Sequence, residues 1–315
     1  MKTILITGGT GLIGKALTQL LQKEGFAVTY LSRKRSNGKP KSFYWNIVTQ
    51  EIDDDAITGA DYIIHLAGAN VAGHRWTTKY KQEIRESREQ GAALIYSTLE
   101  RNPNKVQAVI SASAIGYYGE RGDEWLNENE PPGTDFLGTT CIQWESSVQK
   151  ISALSKRVVL LRTGIVLAKE GGALPPLVRP LLFGIAPIFG SGHQYYPWIH
   201  IHDVCRMYLH AVLNESMSGA YNATAPEPVQ YLDLMNQLSR TLGKWKVNVP
   251  VPMPVLQLAL GDFVKTLSMS TRCSAEKILA TGFEFRYPQL KSALLNLLTQ
   301  QKNKPSCRTI RNAVL

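Results

Sequence analysis

The sequence predicts an α/β chain: a doubly wound, Rossmann-type parallel sheet with helices on both faces, plus a small, mostly helical C-terminal domain on the substrate side. Three observations predict it. The apolar run Ile4, Leu5, Ile6 leads directly into a glycine-rich turn from Thr7 to Gly14, and Lys15 to Gln22 reads as the start of an amphipathic helix. Further β-rich runs at 27–32, 62–66, 106–111 and 158–166 alternate with helical stretches such as 79–99. Helical patterns dominate beyond residue 230.

The turn has the spacing Gly8-x-x-Gly11-x-x-Gly14, and each glycine has a mechanical purpose. Gly8 allows a tight exit from the strand, Gly11 lets backbone approach a pyrophosphate, and Gly14 lets the helix lie close to the strand. Phosphate oxygens would then face the free N–H groups of the helix N-terminus. Thr7, Gly8, Gly9, Thr10, Gly11, Leu12, Ile13 and Gly14 are therefore the predicted dinucleotide loop.

The next strand ends in Ser32, Arg33 and Lys34, with Arg35 behind them. An acidic residue here would accept from the ribose hydroxyls of NAD, whereas a cationic cluster suits the 2′-phosphate of NADP(H). Arg33 is the principal candidate for that contact. The buried-type strand 62–66 leads into a small-residue turn, and Leu66, Ala67 and Gly68 are expected to let backbone approach the nicotinamide side.

Composition excludes several classes. With 315 residues, 44% apolar and 19% charged, the chain can bury a large core and is not predominantly disordered. Its net charge of +10 includes four cations, Lys302, Lys304, Arg308 and Arg311, in a stretch without acids, and the body has no basic helix or aromatic-interleaved basic run. Nucleic acid is therefore not the expected partner; a phosphorylated small molecule is. Cys141, Cys205, Cys273 and Cys307 have no metal-ligand or redox spacing, so reduced thiols, no metal site and a cytoplasmic location are expected. The strongest late apolar run, 181–189, is broken by Gly184 and Pro187, so no membrane span is expected.

Taken in order, the motifs resemble an extended short-chain dehydrogenase/reductase, the group that contains nucleotide-sugar epimerases. The glycine turn, His65-Leu-Ala-Gly68, and the serine-rich strand end before Tyr118-Gly119 carry that resemblance. Trp76 with Ser87-Arg88, Ser111-x-Ser113-x-x-Gly116, Cys141-x-x-Trp144-Glu145, Arg162-Thr-Gly164, Trp198-Ile-His-Ile-His-Asp203 and the segment from Gly282 to Pro288 are similar to its atypical "epimerase family" members, over about residues 1–298. Arg162, with Thr163 and Gly164 at the end of the strand 158–166, is expected at or near the cleft as a further contact to the NADP(H) cofactor. The resemblance implies a small C-terminal domain whose aromatic segment, 282–287, closes the cleft. A homodimer follows only by analogy with related folds.

Typical members of the superfamily use a Ser, a Tyr and a Lys four residues after the Tyr, both on one helix face. Ser113 fits the serine position. Where the resemblance places the Tyr and the Lys stand Cys141 and Glu145. A carboxylate there makes any nearby phenol or thiol harder to ionise. Glu145 is left with two roles, hydrogen-bonding a ribose hydroxyl or acting as acid or base, and Tyr117 and Tyr118 offer a phenol close to Ser113. The candidate catalytic set is Ser113, Tyr117, Cys141 and Glu145. Three functions follow: an NADP(H)-dependent oxidoreductase acting on an unidentified small molecule, a nucleotide-sugar epimerase, or a non-catalytic NADP(H) sensor.

In the second half, 171–197 is expected to form long binding loops around Gly171-Gly172 and Pro175-Pro176. Trp198, His200 and His202 are expected on one face at the head of a helix, as packing groups. A single apolar helix face is expected across 254–268. The expected division is a nucleotide-binding domain at 1–225, a small domain at 226–298 and a disordered basic tail at 299–315.

Overall fold

The computed structural model describes residues 1–299, so all of the expected tail but Thr299, which ends a helix, lies outside the described residues, as does Cys307. Eight strands form the main sheet: β1 (Thr3–Thr7), β2 (Ala27–Ser32), β3 (Lys41–Asn46), β4 (Glu51–Ile52), β5 (Tyr62–His65), β6 (Ala108–Ala114), β7 (Arg157–Thr163) and β8 (Gly219–Ala223). Their order across the sheet is β8-β7-β6-β5-β1-β2-β3-β4, all parallel except the short edge pair of β3 and β4. The chain leaves β1 in one direction to β2 and later resumes on its other side at β5. In such sheets this reversal opens the ligand crevice at the carboxyl ends of the strands.

The labelled helices are α1 (Leu12–Lys23), α2 (Asp54–Thr58), α3 (Thr78–Arg101), α4 (Phe136–Gln149), α5 (Leu174–Leu181), α6 (Ile201–Leu213), α7 (Tyr231–Leu242) and α8 (Leu290–Thr299). Strand alternation assigns them to faces. Ile4, Ile6 and Ile64 pack with Leu17 and Leu21 of α1 and Val204 and Tyr208 of α6. Leu5, Ile63 and Val109 pack on the opposite face with Ile95 and Leu99 of α3 and Trp144 and Val148 of α4. Successive residues of a strand thus feed separate cores, as a sheet covered on both sides requires. Removing one of these side chains to Ala costs roughly 2–5 kcal/mol.

Caps fix where the two site-bearing helices begin. Thr77 accepts from the Tyr80 N–H at the start of α3, and Asp135 accepts from the Gly138 N–H at 2.7 Å at the start of α4.

A third core joins α5, α7 and α8 through Leu177, Leu181, Leu234, Leu238, Leu294 and Leu297. Here the structure differs from the expected loops at 171–197. Pro175 and Pro176 lie in the first turn of α5, where a missing N–H costs nothing. After Gly184, which has φ +76°, Ile185–Ile188 runs parallel to Val247–Pro250, so the glycine and proline content marks boundaries between short elements. The expected single stripe over 254–268 is also interrupted. Gly261, at φ +64°, separates the helix Met253–Leu260 from the turn Val264–Leu267, and a Cβ there would meet the Trp76 carbonyl oxygen at 3.0 Å.

Candidate functional site

The glycine loop is built by backbone contacts. Gly8 takes φ +71°, and a Cβ on it would stand 3.0 Å from the Ala67 nitrogen. At Gly14 a Cβ would fall 2.4 Å from the Gly8 carbonyl oxygen, so α1 sits against the loop only because that atom is missing. Gly9 has a reason the spacing did not reveal: the Tyr30 ring lies where its Cβ would be. Thr18 Oγ1 donates to the Gly14 carbonyl at 2.8 Å, so the Tyr30 phenol donates to Thr18, also at 2.8 Å.

Gly11 is the N-cap of α1 and brings no side chain to the first turn. Thr10 and Gly11 are exposed, and Leu12 and Ile13 are half-buried. The uncapped N–H groups therefore face an open rim, a cradle that fits a pyrophosphate.

Thr7 is turned away from that rim. Its buried hydroxyl accepts from the Leu66 and Ala67 N–H groups, each at 3.1 Å, and so donates to His65 Nδ1 at 2.7 Å. His65 is thereby a neutral imidazole whose pKa burial, helped by the charge of Arg88, pushes down to about 4. Thr7, Leu66 and Ala67 thus form a clasp that fixes the glycine loop to the end of β5.

At the end of β2, the basic residues have separate fates. Arg35 forks onto Asp53 and holds that carboxyl below its usual range. Arg33 and Lys34 are exposed and have no ion pair among the described residues. Ser32 accepts only a long contact from the Lys34 N–H, at 3.4 Å. At Gly68, the group that approaches is protein: a Cβ would lie 3.2 Å from Arg88 Cζ.

Ser113, Glu145 and Arg162 come together although they stand on β6, α4 and β7. Ser113 Oγ donates to Glu145 Oε1 at 2.6 Å. Arg162 grips the same carboxylate with two parallel bonds of 2.9 Å, Nε to Oε1 and Nη2 to Oε2. Its Nη1 donates to the Tyr118 hydroxyl and the Glu128 carbonyl, each at 3.1 Å, and Tyr118 passes its own proton to Asn222 Oδ1 at 2.7 Å. Ser113 and Arg162 are 3% exposed and Glu145 is 9%, so the cluster is largely buried.

Burial works against the Arg162 charge, but the bonds from Glu145 outweigh it and raise its pKa. Such bidentate charge-assisted pairs are the strong ones. Arg162 thus spends its donors on Glu145, Tyr118 and the Glu128 carbonyl within this buried cluster. The charge reversal at Glu145 is neutralised from the adjacent strand.

Cys141, one turn before Glu145, is 3% exposed and has only a long contact of 3.7 Å from its Sγ to the Ala114 carbonyl. Burial and the nearby Glu145 charge push its pKa up to about 12, so it is a neutral thiol. Tyr117 is half-buried, with its ring centroid 3.4 Å from Arg162 Cζ. Tyr118 is fully buried, which raises its pKa.

The histidine motif serves another purpose. His200 caps α6 by accepting from the His202 N–H at 3.0 Å, and its ring stacks on Tyr287 at 4.0 Å. Asp203 accepts from the backbone N–H groups of Arg286 and Tyr287, both at 2.9 Å, and so pins the C-terminal aromatic segment. Among the described residues no group of three potential metal ligands occurs, and no helix is long and apolar enough to cross a membrane.

Sequence reasoning missed the Arg162 fork, the Tyr30 packing on Gly9 and the position of Arg88. A signal for the first existed. A buried carboxylate in a lysine position calls for a new cation, and Arg162 was already visible at the end of an apolar strand.

Comparison with known proteins agrees with this architecture. Residues 4–223 match the NAD dependent epimerase/dehydratase family, and residues 251–297 match a domain of unknown function, DUF1731. An epimerase family protein of Staphylococcus saprophyticus is 35% identical over 302 residues, 95% of this chain and all of that protein. The chloroplastic SDR39U1 homolog of Arabidopsis thaliana is 32% identical, covering 93% of this chain and 85% of that one. The crystal structure of human SDR39U1 (isoform 2) with NADPH superimposes with a TM-score of 0.85 at 29% identity, over 94% of this chain and 98% of that one. A Corynebacterium glutamicum protein described as a nucleoside-diphosphate sugar epimerase gives a TM-score of 0.77 at 32% identity, over 94% of this chain and 58% of that one. By fold and by sequence alike, this chain belongs to the NAD dependent epimerase/dehydratase family.

Proposed function

We propose that this protein is an NADP(H)-dependent oxidoreductase that interconverts a carbonyl and an alcohol on a small molecule. The hydrogen bond from Ser113 to Glu145, with Arg162 clamped behind it, carries the reading. The uncapped N–H groups of α1, from Leu12 to Gly14, would hold the pyrophosphate, with Thr10 and Gly11 at the rim. Arg33, assisted by Lys34 and Ser32, would hold the 2′-phosphate, and the NADPH of the human relative's crystal supports that choice. When bound, the nicotinamide supplies the hydride chemistry.

The proton is handled by the protein. Ser113 donates its hydroxyl hydrogen to Glu145, so its oxygen lone pairs are free to accept a hydrogen bond from a substrate alcohol. As the alcohol is oxidised, its proton passes to Ser113 Oγ and the serine proton moves to Glu145; reduction reverses the path. Arg162 is a positioning residue that fixes the carboxylate plane. Tyr117 closes one side of this group, and Cys141 is a neutral wall. In this reading the typical tyrosine and lysine pair is replaced by a serine and carboxylate relay.

Loss of NADPH absorbance against a panel of carbonyl compounds tests the reaction. Ser113→Ala and Glu145→Gln should each lower kcat by roughly 10²–10⁴-fold, whereas Cys141→Ala should change it little. No turnover of any carbonyl, or full activity in Ser113→Ala, would remove the relay. The C. glutamicum relative's description favours a second reading, epimerisation of a nucleotide sugar. Mass spectrometry of the purified protein for co-retained cofactor and sugar nucleotide separates the two.

A further inference from the structure

We infer that Arg88 is an anion-binding residue of the substrate site and that the substrate carries a carboxylate. That the bound anion is a substrate rests on the oxidoreductase reading, whereas the anion site rests on Arg88 and its surroundings. The side chain projects from α3 into the space between the turn after β5 and helix α4. Its Nη1 donates to the carbonyls of Ala69, at 3.2 Å, and Ile84, at 2.7 Å, which uses both Nη1 protons. Its Cζ lies 4.9 Å from the centroid of the Trp144 ring. Gly68 is the residue that admits it beneath the turn.

Two features separate Arg88 from an ordinary structural arginine. First, among the described residues no carboxylate pairs with it, whereas Arg162 nearby is fully neutralised by Glu145. Burial lowers the pKa of this guanidinium, so its charge is held at a cost that a bound anion would relieve. Second, Nε and both protons of Nη2 have no partner among the described residues, yet neither nitrogen is sealed from solvent. Those donors form the fork that matches a planar carboxylate.

The location is the reacting end of the crevice. Gly68 and Ala69 form the turn at the carboxyl end of β5, and Arg88 is near enough to Cys141 for its charge to oppose, in part, the rise of that thiol's pKa. Cys141 stands one helical turn from Glu145. With Glu145 paired to Arg162, Arg88 brings to this floor a positive charge that no acid among the described residues pairs, which favours a substrate bearing negative charge beside its carbonyl.

Calorimetry on the full chain with benzoate and its neutral isostere benzamide, with and without saturating NADPH, tests the inference. Wild type should bind benzoate at least tenfold more tightly than benzamide, and added salt should weaken only benzoate. Arg88→Met should abolish that preference, and Arg88→Lys, which keeps the charge but not the fork, should weaken benzoate by roughly 3- to 10-fold. Circular dichroism and NADPH affinity within twofold of wild type show that each variant is folded; should Arg88→Met not fold, Arg88→Lys and the salt dependence decide.

Equal binding of the two probes by wild type, no benzoate binding, or unchanged benzoate affinity in the folded variants overturns the proposal. So does competition between NADPH and benzoate, because it would assign Arg88 to the cofactor's own phosphates. Failure of the chain to bind NADPH with benzoate preference intact would instead sink the redox reading and leave the anion site standing.

Discussion

The glycine loop and the Ser113–Glu145–Arg162 cluster lie at the same edge of one sheet, yet they are constructed in opposite ways. The loop is made of backbone: Gly8, Gly9 and Gly14 matter because nothing projects from them. The cluster is made of side chains delivered from a strand, a helix and a second strand, and the Glu145 carboxylate takes its hydrogen bonds from the other two members. A backbone site is lost when an atom is added. A side-chain site is lost when one is taken away.

The largest effect expected from this contrast is at Arg162. Arg162→Met leaves the Glu145 carboxylate buried without a counter-ion, held only by the Ser113 hydroxyl, and should cost about 3–5 kcal/mol in urea unfolding. Adding Glu145→Gln removes the stranded charge, so the double variant should cost about 1–3 kcal/mol less than the two single costs together. Strict additivity would show that the pair does not act as a unit.

Acid should weaken the clasp on the loop side first. His65 and His200 are buried neutral with pKa values pushed down to about 4 by burial. Because the unfolded chain takes up these protons near pH 6.5, stability is full above that value and is lost as pH falls towards 4. Between pH 6.5 and 5 each histidine should account for about 2 kcal/mol. Urea unfolding at pH 7, 6 and 5 reads the slope, and a flat profile over that interval contradicts the burial of both rings.

Two glycines sharpen the backbone half. Gly14→Ala should cost about 1–3 kcal/mol and remove nucleotide binding, since the new Cβ meets Gly8. Gly25→Ala places its Cβ in open space at φ +83°, so it should cost about 1 kcal/mol and leave binding intact. Nucleotide calorimetry beside unfolding curves distinguishes them; equal binding by both variants would remove the steric account of the loop.

The smallest structural effect is expected at Arg33. Arg33→Ala should change stability by less than about 0.5 kcal/mol, as a surface substitution does. It should nevertheless lower NADPH affinity about tenfold relative to NADH, and unchanged selectivity between the two would displace Arg33 from the proposed 2′-phosphate site.

Much of this was legible in the chain itself. The parallel strands, the glycine turn and the helix over α3 follow from periodicity and turn chemistry acting within a dozen or so residues. Departures came where short elements are punctuated by residues that otherwise signal loops. Pro175 and Pro176 begin a helix, Gly184 precedes a strand, and Gly261 divides an apolar stripe to let Trp76 approach. Local sequence marks such a break without stating what lies on either side of it.

The sequence by itself determined the sheet, the dinucleotide turn and the presence of a carboxylate at 145, because each rests on local backbone preference or on residue identity. Only the tertiary structure decided that Arg162 would neutralise that carboxylate and that Arg88 would have no acid partner among the described residues. The reason is physical: the cost of a buried charge depends on what surrounds it in space, and those neighbours come from strands and helices far apart along the chain.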